Sequence, residues 1–227
     1  MSEPENKQGS LAAECLANRY ELAKIRSTDI NEHIATFREY ATKVDSVCEC
    51  GVRTVVSTWG FLAGLALGPE KGKPTITERK KRMLCVDLDP CPNIELPQRL
   101  AKELGIQLDF VQANDLDIDL SWGCDLLFVD SLHCLPHLRR ELATHHAHIR
   151  KYIIMHDTTV DAYVGEPVRM NYNIPLLAKK TGYPEAELRI GLRPAIAEFL
   201  QTHKDTWTID KVFENNNGLT ILRRIGS

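Results

Sequence analysis

The 227-residue sequence has no apolar run approaching the roughly 18 residues of a membrane-spanning helix. Its polar start, MSEPENKQGS, lacks the apolar core of a signal peptide, so a cytoplasmic protein without a membrane span is expected. No charge sign dominates: 28 Lys and Arg stand against 31 Asp and Glu, leaving −3. Nucleic-acid binders usually carry a strong basic surplus, so nucleic acid is not an expected partner. The seven cysteines (Cys15, Cys48, Cys50, Cys85, Cys91, Cys124, Cys134) are odd in number and sit mostly in apolar runs, which argues against a disulfide framework. Cys48 and Cys50 share one face of a strand without forming a clamp, and no second pair stands at zinc-ligand spacing. Reduced, buried thiols are expected instead. Two catalytic signatures are missing as well, the G-x-S-x-G elbow of serine hydrolases and the G-x-G-x-x-G dinucleotide fingerprint. Gly68–Pro74 has the outline of a P-loop, but its spacing is one residue short and Pro74 replaces Ser or Thr; it reads as a surface loop. His145-His146-Ala147-His148 is dense in histidine yet falls at the far end of a helix, and it reads as a solvated helix end.

What the sequence does contain is an alternation of helices and short apolar runs. Residues 1–10 are expected to form a flexible terminus. Leu11–Ile25 has helical spacing, with Leu11, Cys15, Leu22 and Ile25 available for one face. Asp29-x-x-Glu32 is a capping-box variant that predicts a second helix through about Ala41, so residues 11–42 read as a helical cap. Ser46–Cys50, Met83–Val86, Leu108–Gln112, Asp125–Val129 and Lys151–Met155 read as buried strands. Helical stretches Thr58–Leu67, Asn93–Leu104 and Leu135–His146 lie between them. Trp207–Phe213 and Leu219–Ile225 flank Glu214-Asn215-Asn216-Asn217-Gly218 and predict an antiparallel hairpin. The expected fold is α/β: one Rossmann-like, doubly wound, mostly parallel sheet closed by a C-terminal hairpin, forming a single domain over 11–227.

In such a sheet the residues just past each strand face the ligand. Glu49 and Gly51, with Arg53 and then Ser57-Thr58 opening a helix, suit the ammonium end of an amino-acid-like cofactor rather than a pyrophosphate. Glu49 could equally pair with Arg53. Asp87 stands where a carboxylate accepts ribose hydroxyls, and Asn114 and Asp115 where an adenine edge would lie. Asp130 and Asp157 end neighbouring strands and can face one cation; with His156 as the single imidazole, the donor set suits Mg²⁺ or Mn²⁺. His133, three residues past Asp130, is placed to take a proton from a hydroxyl. Alternatively, Asp130 and Asp157 cap the following elements.

With these residues in view, the sequence resembles class I S-adenosylmethionine-dependent methyltransferases. The likeness runs from about Asp29 to the end, closest to metal-dependent sugar O-methyltransferases of the macrolide and rhamnosyl type and to cephalosporin-hydroxylase-like proteins. It rests on Asp29-Ile30-x-x-His33, Glu49-x-Gly51-x-Arg53, Ser57-Thr58-Trp59, Phe128-Val129-Asp130-x-x-His133, His156-Asp157-Thr158 and Asn215-Asn216-Asn217-Gly218-Leu219. The resemblance implies a metal bound by Asp130 and Asp157, and His133 as the base. The family often has two acidic residues where this chain has His156-Asp157, which leaves His156 either a ligand or a group behind one. It also implies methyl transfer to a hydroxyl of a sugar or glycan. Residues 157–190, a long segment without strong periodicity, read either as an acceptor lid offering Tyr163, Glu166, Arg169 and Tyr172 or as a disordered loop. Homo-oligomers, or fusion to or association with glycosyltransferases, are the expected protein partners. A dinucleotide-dependent oxidoreductase and a non-catalytic module of a glycan-synthesis assembly are the competing readings.

Overall fold

Short runs of Val, Ile, Leu and Cys cannot be left in water, and here they become the strands of one buried sheet. The computed structural model describes residues 4–70 and 80–226. Five strands are parallel: β1 (Ser46–Cys50), β2 (Arg82–Asp87), β3 (Gln107–Gln112), β4 (Cys124–Val129) and β5 (Ile149–His156). With β6 (Trp207–Phe213) and β7 (Leu219–Arg224) they form a seven-stranded sheet in the order β3-β2-β1-β4-β5-β7-β6. Every residue of β1 and β4 is buried, as both faces are covered. β7 runs antiparallel to β5, and its hairpin with β6 turns through Asn216, Asn217 and Gly218 at φ 45°, 69° and 94°. Those left-handed positions are why the turn needs Asn and Gly. The sheet is the doubly wound, mostly parallel one with an antiparallel C-terminal hairpin that the strand pattern predicts.

Successive side chains of each strand face opposite ways. On one face Val47, Met83, Leu126, Phe128 and Ile154 pack beneath α1 (Pro4–Ile25), α2 (Ile34–Ala41), α3 (Val56–Leu67) and α4 (Glu95–Glu103). Phe37, Phe61 and Phe128 meet there at centroid distances of 4.8 to 5.2 Å. On the other face Cys48, Leu127, Val129, Ile153 and Leu222 pack against α5 (Leu135–His145) and α9 (Arg193–Thr202). Between β5 and α9 the chain forms α6 (Glu166–Arg169), α7 (Ile174–Thr181) and α8 (Glu185–Leu188). All seven cysteines are free thiols, and no helix among the described residues is long and apolar enough to cross a membrane.

Several expectations are corrected. α1 begins at Pro4, within the stretch expected to be a flexible terminus. Its packed face is Ala12, Leu16, Tyr20 and Ala23, while Leu11, Leu22 and Ile25 point to solvent. The helix carries two apolar stripes at compatible spacing, and the small alanines let the first lie close to its neighbours. The capping box is not formed. Asn31–His33 is a 3-10 turn, α2 starts only at Ile34, and neither has a side-chain cap. His145 is buried rather than solvated: its Nε2 donates to the Asp115 carbonyl at 2.8 Å, and burial pushes its pKa down. α9 has no counterpart among the expected elements. Residues 71–79, in which most of the P-loop-like stretch falls, lie outside the described residues.

Candidate active site

The strand order reverses between β1 and β4, and ligands of open α/β sheets bind beyond the carboxyl ends of the strands at such a point. Gly51 follows β1 there and Asp130 follows β4. Gly51 has φ 89°, and a Cβ on it would lie 2.0 Å from the Asp130 carbonyl oxygen. The two strand ends therefore meet through bare backbone. The close approach that glycine permits is to Asp130 rather than to a ligand.

Asp130 is the centre of a buried cluster. Its Oδ1 lies 3.1 Å from Nδ1 of His156 and 3.3 Å from Nε2 of His133. Asp157, the first residue past β5, places Oδ2 2.9 Å from His133 Nδ1 and Oδ1 3.6 Å from His156 Nδ1. Asp157 has φ 56°, a strained value for a residue with a Cβ, and such strain is commonly retained where it sets a functional side chain. Nε2 of His156 faces the Asn216 carbonyl at 3.1 Å, so that nitrogen carries hydrogen and Nδ1 is left to the carboxylates. His33 fixes the same loop from below, its Nε2 being 3.1 and 3.2 Å from the carbonyls of Asn215 and Asn216. The segments around His33, His156 and Asn216, far apart in sequence, are thereby joined.

The charges are strongly coupled. Burial works against ionisation of His133, but Asp130, Asp157 and Asp161 overcome it and raise its pKa well above the ordinary value. Burial likewise opposes the Asp130 charge, and His133 and His156 pull its carboxyl well below the usual range. Although close, the His133 nitrogens are poorly aligned with these oxygens. Neither makes a hydrogen bond, and Asp157 Oδ1 is buried with no donor among the described residues.

Of the four residues expected to face an acceptor, Glu166, Arg169 and Tyr172 gather around His133. Glu166 accepts from the His133 backbone amide at 3.2 Å and approaches Nδ1 at 3.6 Å, and the Tyr172 hydroxyl donates to Glu166 at 2.9 Å. Arg169 holds Asp161 by two hydrogen bonds of 2.6 and 2.7 Å, and Asp161 Oδ2 lies 3.4 Å from His133. Tyr163 stands apart, 69% exposed beside Arg193. Asp161 was not singled out in the sequence. The available signal was its place in Asp157-Thr158-Thr159-Val160-Asp161, where its amide closes a turn onto the Asp157 carbonyl at 3.0 Å.

Beside Asp130 opens a small cleft at the carboxyl edge of the sheet. Asp29, Gly51, Arg53, Thr54, Ser57 and Asp130 line it. Arg53 pairs with Asp29 at 2.7 Å, and not with Glu49. Glu49 lies beneath the cleft, fully buried, accepting from the hydroxyls of Ser57 and of Thr58 (2.8 Å) and from the Cys85 thiol at 3.5 Å. It is therefore not presented to an ammonium group. Asp29 and Asp130 both line the cleft, and Asp29 pairs with Arg53 instead of capping a helix. Asp87 accepts from the amides of Val52 and Arg53 at 2.9 Å each, pinning the Gly51 loop. Asn114 caps the 3-10 turn Asp115–Asp117 through the Leu116 amide, and Asp115 is buried 3.2 Å from His137 Nε2. Neither Asn114 nor Asp115 lines the cleft.

Burial, helped by Asp130, pushes the Glu49 carboxyl up to about 7, against the pull of Ser57, Thr58 and Cys85. The fold thus prefers Glu49 protonated. Its contribution to stability is complete below the ordinary value of 4.5 and is lost as pH rises through about 7. Glu49→Gln should flatten this slope, narrowing the stability difference between about pH 5 and about pH 8 by up to ~3 kcal/mol in urea titrations. An unchanged slope would show that Glu49 ionises freely.

No protein-family model matches the sequence, and no curated protein matches it. Solved structures do share its fold. A Burkholderia thailandensis 1,6-didemethyltoxoflavin-N1-methyltransferase with bound S-adenosylhomocysteine aligns over 99% of this chain and 91% of its own, at 14% identity and TM-score 0.54. The O-methyltransferase of tomaymycin synthesis from Streptomyces achromogenes, in complex with S-adenosylmethionine, aligns over 96% and 90%, at 13% identity and TM-score 0.52. A Podospora anserina methyltransferase bound to S-adenosylhomocysteine aligns over 99% and 97%, at 14% identity and TM-score 0.51. At such identities the likeness is one of fold: the chain has the class I methyltransferase fold.

Proposed function

We propose that the protein is an S-adenosylmethionine-dependent O-methyltransferase that methylates a hydroxyl of a small sugar or glycan with the help of a divalent cation. The observation that carries this reading is the buried Asp130, His133, His156 and Asp157 cluster beside an open cleft at the switch point of a methyltransferase fold. S-adenosylmethionine, when bound, supplies an activated methyl group, so the protein's task is to orient it and prepare the acceptor oxygen. The cleft wall offers Asp29 for the cofactor's ammonium group. The start of α3, which no side chain caps, offers backbone amides for its carboxylate.

The side chains fit Mg²⁺ or Mn²⁺. Two carboxylates and one imidazole converge, the imidazole is oriented by the Asn216 carbonyl behind it, and buried polar atoms of His133 and Asp157 lack hydrogen bonds. Asp130, Asp157 and Nδ1 of His156 would hold the ion, which would lower the pKa of a sugar hydroxyl. His133, set by Asp161 and Glu166, is the group to take up that proton. The surrounding carboxylates raise its proton affinity, which suits a group that takes up a proton. A shallow groove bordered by Asn171, Tyr172, Asn173 and Arg189 supports a polyhydroxylated acceptor, because Tyr172 links it through Glu166 to His133.

Simple sugars and glycosides screened with methyl-labelled cofactor provide the test. At least one should be labelled, EDTA should abolish labelling, and Mg²⁺ or Mn²⁺ should restore it. Full transfer in chelator would remove the metal from the account.

A further inference from the structure

Helix α1 turns its second apolar stripe to solvent. Leu11, Cys15, Asn18, Leu22 and Ile25 succeed one another at intervals of 4, 3, 4 and 3 residues. Leu11, Leu22 and Ile25 are 66%, 53% and 74% exposed, and Asn18 is exposed between them. The opposite stripe, Ala12, Leu16, Tyr20 and Ala23, packs into the core; of the outer stripe half-buried Cys15 also touches it, while Leu11, Leu22 and Ile25 stay in solvent. A 4-3 repeat is the spacing that keeps one seam of a helix against a second helix. Glu14 and Glu21 border the seam on one side, and Arg19 and, one residue past the end of α1, Arg26 on the other; all four are exposed.

We propose that this seam is a dimer contact, in which the α1 helices of two copies of the chain pack parallel about a two-fold axis with Asn18 against Asn18. The flanking charges select the direction. In a parallel pair each acidic residue lies opposite the residue five positions further along the other copy, which gives Glu14 with Arg19 and Glu21 with Arg26. An antiparallel pair would set Glu against Glu and Arg against Arg, so the charges act against the wrong arrangement as well as for the right one. Glu21 also lies 3.4 Å from Lys24 of its own helix, an exposed contact that a stronger partner can replace. A single polar residue inside an apolar seam fixes the register, which is the place of Asn18. The seam is only about 21 Å long at ~1.5 Å per residue, so the dimer forms with rising concentration and is not obligate. Cys15 lies on the seam and is the one cysteine of the seven that is not buried. In the parallel register the two Cys15 thiols face each other.

Sedimentation velocity over a concentration series reads the association, with circular dichroism confirming that each variant is folded. The wild type should pass from monomer to dimer, and Leu22→Glu should weaken the dimer by about tenfold or more. Glu14→Arg with Glu21→Arg makes one copy wholly basic along the seam, and Arg19→Glu with Arg26→Glu makes another wholly acidic. Each should be monomeric alone, and the two mixed should restore a dimer. Mild oxidation should cross-link the wild type but not Cys15→Ser. A wild type that is monomeric throughout, or a dimer indifferent to Leu22→Glu and to the charge reversals, would overturn the proposal.

Discussion

Asp130→Asn is expected to lower methyl transfer by about three orders of magnitude while changing S-adenosylhomocysteine affinity by less than about threefold. The substitution keeps the shape of the side chain and its place at the cleft. It removes the charge to which both His133 and His156 are turned, at 3.3 and 3.1 Å. Without that charge the set of Asp130, His156 and Asp157 is left with a single carboxylate, and His133 loses one of the groups that set its position. Steady-state rates on an acceptor found by the screen, with calorimetry for the cofactor product, separate the two effects. Turnover above about a tenth of the wild-type value would place the chemistry elsewhere. A large loss of cofactor affinity would mean that Asp130 serves the cofactor rather than the acceptor.

Gly51→Ala is expected to cost about 2–5 kcal/mol, the sum of a left-handed backbone forced on alanine and a steric overlap that only strand movement relieves. In a chain of this size that is a fall of roughly 5–20 °C in melting temperature. The overlap is with backbone, since the added Cβ would lie 2.0 Å from the Asp130 carbonyl oxygen, and no side chain can rotate away to make room. Because β1 and β4 must part to accept it, divalent-cation binding at Asp130 should weaken as well. Scanning calorimetry and a Mn²⁺ titration of the same sample read both losses. A variant as stable as the wild type would show that the strand ends are not held by this contact.

The sheet was legible because its strands are buried on both faces: runs such as Val47-Cys48 and Leu126-Leu127-Phe128-Val129 leave no amphipathic ambiguity. The hairpin was legible because Asn216, Asn217 and Gly218 take backbone angles that most residues avoid. The same logic placed Asp130, His133, His156 and Asp157 at the carboxyl edge of the sheet, where their side chains lie together. Choices between equivalent partners were not legible. Helix α1 has two apolar stripes, and its spacing cannot say which one meets the core. Glu49 and Asp87 stand at strand ends, yet Glu49 is turned to the hydroxyls of Ser57 and Thr58 and Asp87 to the amides of Val52 and Arg53. Asp29 sits in a capping pattern, yet it pairs with Arg53 across the cleft wall. In each case periodicity places the Cα, and competition among nearby donors decides where the carboxylate goes.

The most direct test of the functional reading needs no acceptor. In a calorimetric titration of the purified protein, S-adenosylhomocysteine should bind at one site per chain with micromolar or tighter affinity, and NAD should give no heat of binding. Binding of NAD with no response to S-adenosylhomocysteine would contradict the account and favour a dinucleotide-dependent oxidoreductase on the same sheet.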